Sequence, residues 1–409
     1  MEDELVRTTL RRFVSEQVAT LDGVADGDGV LPDHWWRQLG ELGVTGMLAP
    51  AEVGGAGAGL DAAVLVAEEL AAGSAALAWT FVEHTDATWI LDGLASEPVR
   101  ARLVPRLASG EIMGAALKAT EAGGGTSTAG ILTTARAAGD RYVLNGRKVF
   151  QSLAGMADLY LVVARTEPIP AAGPLSVFVV ERDNPGISFG VRERTMGLRA
   201  LPVAEIVLED CEVAAEEVVG PPGGFGAVIG RHGRVTPLLV AGVALGLAEA
   251  SMSETLGFLG GRVVAGQPLA HHPVVQLRVA DLLVDLESAR GLLDRAVRGD
   301  GRPGLGALAK VGATEAAVRV IDGCLGLHGA VGYSTDLPIE RRARDVRALP
   351  LHYGTNDQLR LVAARAAFGA AGAAGSAGAA GAAGSAGAAG AAGAAGAEGS
   401  AGAAASDGR

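Results

Sequence analysis

Residues 142–150 read YVLNGRKVF, and this stretch decides the fold class of the middle of the chain. Apolar and polar side chains alternate along it, which is typical of a half-buried strand. Asn145-Gly146 is a dipeptide that tight type I′ turns prefer, so we predict a β-hairpin that turns at these two residues. Further strands, with no helical pattern between them, are predicted at residues 159–164, 175–181 and 203–208. The sequence therefore indicates an antiparallel β-domain.

Helical patterns flank this β-domain on both sides. On the N-terminal side, glycine and proline separate amphipathic segments. On the C-terminal side, Pro273 begins a long helix with one apolar stripe, and a second long helix covers roughly residues 304–327. Long helices of this kind usually pack as an antiparallel bundle. The predicted class is α+β, with an N-terminal helical domain, a middle β-domain and a C-terminal helical bundle at residues 1–112, 113–220 and 221–368.

The C-terminal tail at residues 369–409 is a near-repeat of Ala-Ala-Gly with a few serines. It contains no proline, which a collagen triple helix needs, and each glycine costs a helix about 1 kcal/mol. The tail also has no apolar side chain larger than alanine with which to build a core. We predict a disordered appendage, from which no function can be inferred.

Composition excludes several classes of protein. Of the 409 residues, 49% are hydrophobic and 20% are charged, which is typical of a globular chain. The formal net charge of −12 argues against nucleic acid or an anionic membrane as the main partner. Two distant cysteines, Cys211 and Cys324, favour reduced thiols, and no cysteine/histidine cluster indicates a metal site. With neither a signal peptide nor a charge-free apolar run long enough to span a membrane, we expect a cytoplasmic protein.

Particular motifs narrow the prediction further. They follow one another along the chain at residues 50–55 (PAEVGG), 103–111 (LVPRLASGE), 120–126 (TEAGGGT), 139–148 (GDRYVLNGRK), 327–329 (LHG), 344–345 (RD) and 354–356 (GTN). Any one of them is weak, but the ordered series resembles the acyl-CoA dehydrogenase family over roughly residues 1–368. That resemblance implies an N-terminal helical domain, a middle β-barrel-like domain and a C-terminal four-helix bundle, in agreement with the pattern of strands and helices.

The resemblance also implies a reaction. Members of the family bind FAD, are commonly dimers of dimers, and remove two hydrogens across the α–β bond of an acyl-CoA. For this chain it implies an acyl-CoA or acyl-carrier thioester as substrate, an electron-transfer acceptor, and a homo- or hetero-tetramer. Neither the acyl chain nor the pathway follows from the sequence.

The resemblance assigns five residues to the flavin. Thr120 and Thr126 lie at the two ends of the glycine-rich loop, where small residues let backbone N–H groups approach ring and phosphate oxygens. Phe150 is implied to cover one face of the isoalloxazine, with the Ser152 hydroxyl near its N5. Thr355 is implied to lie beside the ribityl chain. The alternatives are a solvated turn for the loop and a core strand position for Phe150.

Arginines are implied to bind the phosphates. Arg262 matches a family arginine that reaches across a subunit interface to the FAD pyrophosphate, and the alternative is an ordinary exposed arginine. Arg231 and Arg234 are candidates for the CoA phosphates, or are simply solvated, and Gly354 is a candidate substrate contact. Gly326 stands where the family often has glutamine, which weakens the contacts expected for the adenine of FAD.

The catalytic base is the main departure from the family. Most members have a buried glutamate before Gly-Thr, because desolvation raises the pKa of a glutamate towards that of a useful base. Here Tyr353 occupies that position, and a neutral phenol with a pKa of about 10 is a poor base. A minority of members carry the carboxylate on the first long C-terminal helix, where the alignment places Thr236. His352 is a candidate substitute, or else packs beside the flavin.

Three hypotheses follow from these residues. The chain is an acyl-CoA dehydrogenase-like oxidoreductase with a different proton acceptor, or a base-deficient subunit of a hetero-oligomeric dehydrogenase. The third hypothesis is altered flavin chemistry in secondary metabolism. Family membership does not decide among them, because function depends on the site rather than on the fold.

Overall fold

The structure is a computed structural model that describes residues 2–18, 26, 29–123, 128–166, 174–299 and 302–369. Residues 1–363 form one compact unit, and residues 364–409 form a second, of which 364–369 are helical. Thr126 lies outside the described residues. The predicted disordered tail also lies outside them from residue 370 onward.

Five α-helices precede the sheet in the described part of the chain. They are α1 Glu2–Phe13, α2 Asp33–Glu41, α3 Leu60–Gly73, α4 Ala75–Leu94 and α5 Glu97–Ala108. At the start of α4 the Ser74 hydroxyl oxygen accepts from the Leu77 N–H at 3.2 Å, which satisfies one free donor of the first turn. Nearly every residue of α4 is buried, because the helix packs against both β1 of the sheet and the first long C-terminal helix. Polar side chains on α4 therefore point into the protein.

One mixed sheet of seven strands follows in the described residues. Its strands are β1 Gly114–Lys118, β2 Thr134–Ala138, β3 Arg141–Ser152, β4 Leu159–Thr166, β5 Leu175–Glu181, β6 Ile187–Phe189 and β7 Val203–Ala214. The order is β1-β4-β2-β3-β7-β6, and β5 pairs with β4. Strand β4 runs parallel to β1 and β2, whereas the other ladders are antiparallel. The prediction of a purely antiparallel sheet was therefore wrong. Because β7 occupies the free edge of β3, β4 pairs with the other side of β2, and it runs parallel to that strand.

The predicted hairpin turn at Asn145-Gly146 was wrong. Strand β3 passes through both residues without a turn, and the tight connection lies at residues 139–140, between β2 and β3. Both halves of β3 pair with β7, which holds the strand extended apart from two register shifts, one beside Gly146 and one between Lys148 and Gln151. A Cβ on Gly146 would lie 2.4 Å from Thr133 Oγ1. The glycine therefore serves a close approach between chain segments rather than a turn.

Helices return after the sheet. They are α6 Phe225–Gly261, α7 Pro273–Val297, α8 Leu305–His328 and α9 Pro338–Asp345, followed by α10 at residues 356–369. The short strands β8 Val263–Val264 and β9 Gln267–Pro268 follow α6. Pro273 begins α7 as predicted. Helix α6 is long and apolar enough to cross a membrane, but 89% of its most apolar window is buried inside the protein, so it is a core helix. Cys211 and Cys324 are both buried free thiols.

Candidate active site

Helix α4 presents aromatic and acidic side chains on one face. Trp79, Glu83 and Asp86 are spaced four and three residues apart, so they lie on the same side of the helix. The ring centroid of Trp79 lies 4.8 Å from that of His352 and 5.1 Å from that of Tyr353. The position at which the family base was expected therefore faces this side of α4.

The turn that carries Tyr353 has a strained backbone. Tyr353 has a φ of 53° and Gly354 a φ of 85°, and the left-handed region is unfavourable for a residue other than glycine. Lys310 on α8 holds the turn, because its Nζ donates to the Gly354 carbonyl at 3.1 Å and to Asn356 Oδ1 at 2.9 Å. Burial lowers the pKa of Lys310 to about 8. The strain at Tyr353 is thus maintained by a buried side chain from another helix.

Thr355 fixes the start of α10. Its hydroxyl oxygen accepts from the Gln358 N–H at 3.3 Å, and the Gln358 side chain accepts from the Thr355 N–H at 3.1 Å. This reciprocal pair is a capping box. The Thr355 hydroxyl can still donate outward, so its contact with the ribityl chain stays a prediction.

The ends of β1 and β3 meet α4 at a buried ion pair. Lys118 Nζ donates to Glu83 Oε2 and to the Ser152 carbonyl, both at 3.0 Å, and both charged side chains are almost fully buried. The Ser152 hydroxyl donates to the other oxygen of Glu83, and the Ala116 N–H donates to Oε2 at 2.9 Å. Burial alone would raise the pKa of Glu83, but the charge of Lys118 and these hydrogen bonds hold it below the usual value. Glu83 is therefore an ionised carboxylate with both oxygens in use.

Two residues predicted to contact the flavin lie side by side. The Thr120 carbonyl accepts from the Val149 N–H at 3.0 Å and from Gln151 Nε2 at 3.3 Å, which brings the loop after β1 against the end of β3. Phe150 lies between these two donors with a φ of 53° and is 63% exposed. That exposure argues against the alternative of a core strand residue. The backbone instead holds the aromatic ring on the surface of the sheet.

Tyr353 cannot act as the base, and a histidine lies beside it. Burial, followed by the charges of Glu83 and Asp86, raises the pKa of Tyr353 well above its ordinary value, so the phenol stays neutral. Its buried hydroxyl makes no well-formed hydrogen bond among the described residues, but it faces the Glu83 carboxylate, and that contact adds to the raised pKa. The ring of His232, on α6, lies 5.6 Å from the Tyr353 ring, and its Nδ1 lies 2.7 Å from Asp86 Oδ2. Thr236, where the alternative carboxylate was sought, lies 3.2 Å from the same nitrogen through Oγ1.

Three family profiles match almost the whole of residues 1–368. They are the N-terminal, middle and C-terminal domains of acyl-CoA dehydrogenase, and they match residues 1–111, 116–211 and 224–368. The chain belongs to the acyl-CoA dehydrogenase family. The resemblance read from the motifs and the fold class are therefore confirmed.

Individual members of the acyl-CoA dehydrogenase family agree with the profiles. Cyclohex-1-ene-1-carbonyl-CoA dehydrogenase of Syntrophus aciditrophicus is 31% identical, over 89% of this chain and 89% of the relative. The butyryl-CoA dehydrogenase structure from Megasphaera elsdenii superposes with a TM-score of 0.85 at 28% identity, covering 90% of this chain and 98% of that one. A glutaryl-CoA dehydrogenase from Mycobacterium smegmatis in complex with FADH2 has a TM-score of 0.84 at 25% identity, covering 90% and 95%.

FAD is the cofactor of acyl-CoA dehydrogenases, and the residues of this chain fit it. The surface-held aromatic ring of Phe150, next to Thr120, provides a stacking face of the kind an isoalloxazine needs. One assignment is altered, because the hydroxyl hydrogen of Ser152 is already donated to Glu83. At Gly326 a Cβ would meet nothing within 4 Å, so the place of the family's glutamine side chain is open space.

The three predicted arginines differ in their surroundings. The guanidinium of Arg231 lies 3.8 Å above the Trp89 ring and 3.6 Å from Asp92, so this arginine is bound to α4. Arg234 and Arg262 are exposed, and neither has an ion-pair partner among the described residues. Arg234 therefore remains the better candidate for CoA phosphates. Arg262 lies at the end of α6, and the structure brings it to none of the other predicted site residues.

Sequence reasoning missed Glu83, Asp86 and His232. The only signal available was the presence of acidic residues within the otherwise apolar segment 77–91 (LAWTFVEHTDATWIL). A buried helix carries charged side chains only if partners satisfy them. The identity of those partners, Lys118 and His232, depends on segments distant in sequence.

Proposed function

We propose that this acyl-CoA dehydrogenase binds FAD between the end of β3 and the 350–356 turn, and oxidises the α–β bond of an acyl thioester beside the polar face of α4. One observation carries the proposal: the Tyr353 turn, the strand ends bearing Thr120, Phe150 and Ser152, and the polar face of α4 converge on one region. The domain boundaries at 112, 220 and 368 remain part of this proposal.

The chain's own residues bind and orient the reactants in this region. FAD, when bound, supplies the two-electron acceptor for the hydride that leaves the β-carbon. Phe150 and Thr120 hold and orient the ring, and Thr355 and Gly354 border it from the opposite segment. The Tyr353 hydroxyl, which makes no well-formed hydrogen bond among the described residues, is the candidate donor for a substrate oxygen, with Glu83 as the group that competes for its proton. Burial of the α4 face excludes water, which strengthens each of these polar contacts.

The experiment is a reductive titration of the purified chain. The expected protein is yellow, and anaerobic addition of butyryl-, octanoyl- or cyclohexanecarbonyl-CoA is expected to bleach the visible band of oxidised flavin. Phe150→Ala is expected to lose FAD during gel filtration, because the stacking face is removed, whereas Tyr142→Ala on the same strand retains it. A colourless protein, or a yellow one that no thioester bleaches, would contradict the proposal.

A second copy of the chain is the natural partner for helix α7. The outward face of α7 exposes the large apolar residues Val274, Leu277 and Val284. An apolar groove between α6 and α7 continues this face and is lined by Leu256, Leu259, Ala270, Val275, Gln276, Val279, Ala280 and Leu283. Contiguous exposed apolar surface of this kind marks interaction sites. We infer a symmetric oligomer through α7. Arg262 follows α6, one of the two helices that form this groove, and we propose that it binds the FAD pyrophosphate of the neighbouring copy.

Two further expectations remain proposals. The electron acceptor is an external electron-transfer protein, because a flavin reduced inside a buried site has to be reoxidised between turnovers. The compartment is the cytoplasm. The base-deficient subunit and altered flavin chemistry are not favoured, since relatives such as the cyclohex-1-ene-1-carbonyl-CoA and butyryl-CoA enzymes are named as dehydrogenases of acyl-CoA substrates.

A further inference from the structure

The two positions at which this family places its carboxylate base are both non-acidic here, and one imidazole lies between them. Tyr353 occupies the first position and Thr236 the second. The His232 ring lies 5.6 Å from the Tyr353 ring, and its Nδ1 lies 3.2 Å from Thr236 Oγ1. We propose that His232, oriented by Asp86, is the proton acceptor of the dehydrogenation. This inference rests on the function proposed above.

Asp86 and His232 have the geometry of an oriented base. Asp86 Oδ2 lies 2.7 Å from His232 Nδ1, and the Asp86 side chain is fully buried. The carboxylate accepts the Nδ1 proton, which fixes the tautomer and leaves the lone pair on Nε2. Nε2 makes no hydrogen bond to the described residues. The basic atom is therefore free on the side of the ring away from Asp86.

The other candidates in this region are less suitable. Both oxygens of Glu83 are occupied, and its pKa is held below the usual value, so it is a weak base. The phenol of Tyr353 is neutral. His352 lies against Trp79, and burial lowers its pKa. Among the residues that the structure describes, its buried Nδ1 has no partner and no carboxylate orients the ring. Of the described side chains in this region, only His232 combines a ring nitrogen without a hydrogen bond with a carboxylate on the other nitrogen.

The proposed step needs only the thioester, His232 and FAD. The Cα–H bond of the thioester breaks, and its proton passes to Nε2 of His232. The electron pair of that bond becomes the Cα=Cβ double bond, while a hydride leaves Cβ for the bound FAD. The imidazolium, stabilised by Asp86, then releases its proton to solvent before the next turnover.

The proposal predicts a pH dependence with a definite direction. Burial alone would lower the pKa of His232, but the charge and hydrogen bond of Asp86, with the charge of Glu83, raise it above the usual value. A base acts in its unprotonated form, so the rate of flavin reduction is expected to rise with pH through this raised pKa. The other titratable or charged groups near the ring, from α4, β1, the 350–356 turn and α6 itself, are Glu83, Lys118, Tyr353, His352, Arg231 and Arg234.

The test uses two variants of the FAD-loaded protein and two measurements. His232→Gln is expected to slow flavin reduction by acyl-CoA at least about 100-fold, as loss of a general base does. Asp86→Asn keeps the shape and removes the charge, so the acid limb of its pH profile is expected to move to lower pH. The second measurement is exchange of the α-protons of 3-thiaoctanoyl-CoA with D2O. This analogue has sulfur in place of Cβ and cannot lose a hydride.

His34→Gln is the matched control, because His34 is exposed on α2 and lies outside the site. Visible flavin absorption and the melting temperature show whether each variant is folded. If His232→Gln does not fold, the pH profile of Asp86→Asn tests the proposal, and an acid limb that does not move would overturn it. Reduction by His232→Gln within a few-fold of wild type would overturn the proposal and leave the dehydrogenase function standing. If the wild type exchanges the α-protons, His232→Gln does not, and no thioester reduces the flavin of the wild type, only the proposed function would be refuted. Absence of both activities in the wild type would refute both.

Discussion

At the scale of single residues, the acidic side chains of this candidate active site lie on α4 and not on the turn before Gly354. The carboxylate expected before Gly354 is absent, while α4 places Glu83 and Asp86 in the interior. Each of these acids has a basic partner from elsewhere in the chain, Lys118 and His232 respectively. Such pairs persist in a buried site only when both members are present, because desolvation of an unpaired charge is costly.

The Lys118–Glu83 pair gives a prediction about stability. Lys118→Met leaves Glu83 buried without its counter-charge, and the free energy of unfolding is expected to fall by about 3–5 kcal/mol. Arg147→Met is the control, because the Arg147–Glu205 pair is separated by 3.4 Å at the exposed surface and is worth at most about 1 kcal/mol. Denaturant unfolding measures both variants. Equal losses would show that the buried pair stabilises the fold no more than an exposed pair does.

Stability is also expected to depend on pH through Glu83. Its folded-state pKa lies below its unfolded value, so its contribution is fully present above the unfolded pKa. That contribution disappears as the pH falls through the folded pKa. In Lys118→Met burial instead raises the folded-state pKa of Glu83, so the loss of stability in that variant is expected to become smaller as the pH falls and Glu83 takes up a proton.

At the scale of elements, α6 is the helix on which the rest of the site is assembled. It carries His232 near its start and packs against α3, α4 and α8. Its glycines are of two kinds. A Cβ on Gly246 would lie 2.2 Å from the Glu68 carbonyl oxygen of α3, whereas a Cβ on Gly257 would meet nothing within 4 Å. Glycine is needed at the first position because two helix backbones approach closely there.

This contrast predicts opposite effects for the same substitution on one helix. Gly246→Ala is expected to destabilise the protein by about 1–3 kcal/mol, because α3 and α6 have to separate. Gly257→Ala is expected to stabilise it by about 0.5–1 kcal/mol, because alanine is the better helix former and no contact opposes it. Thermal unfolding of the two variants measures the change in stability of each. A stabilising Gly246→Ala would mean that the helix contact is looser than the structure shows.

The element scale also shows where sequence patterns were sufficient. The start of α7 at Pro273 follows from local rules, since proline suits a first helical turn. The Asn145-Gly146 dipeptide obeyed an equally strong local rule and still lies within a continuous strand. Pairing with β7 on both sides of the dipeptide outweighed the turn preference, because tertiary hydrogen bonds extend over the full strand.

At the scale of the whole molecule, the exposed apolar face of α7 predicts an oligomer. Leu277→Glu places a charge in the centre of that face, where the side chain is 69% exposed, and is expected to reduce the molecular mass measured by light scattering. Val191→Glu is the control, because Val191 is 91% exposed and lies away from α7. The FAD content of Leu277→Glu is expected to fall as well if Arg262 binds the cofactor of a neighbouring copy. An unchanged mass would contradict the proposed interface.

The sequence by itself determined the family, the α+β class and the cofactor, because these depend on ordered motifs and on patterns local to each segment. The sequence also predicts that neither usual position holds a carboxylate base, because the resemblance places Tyr353 and Thr236 there. Only the tertiary structure brought Asp86 and His232 within 2.7 Å across a separation of 146 residues. The sequence does not specify such a contact, because it depends on how α4 and α6 pack against each other, and that packing is set by the whole core.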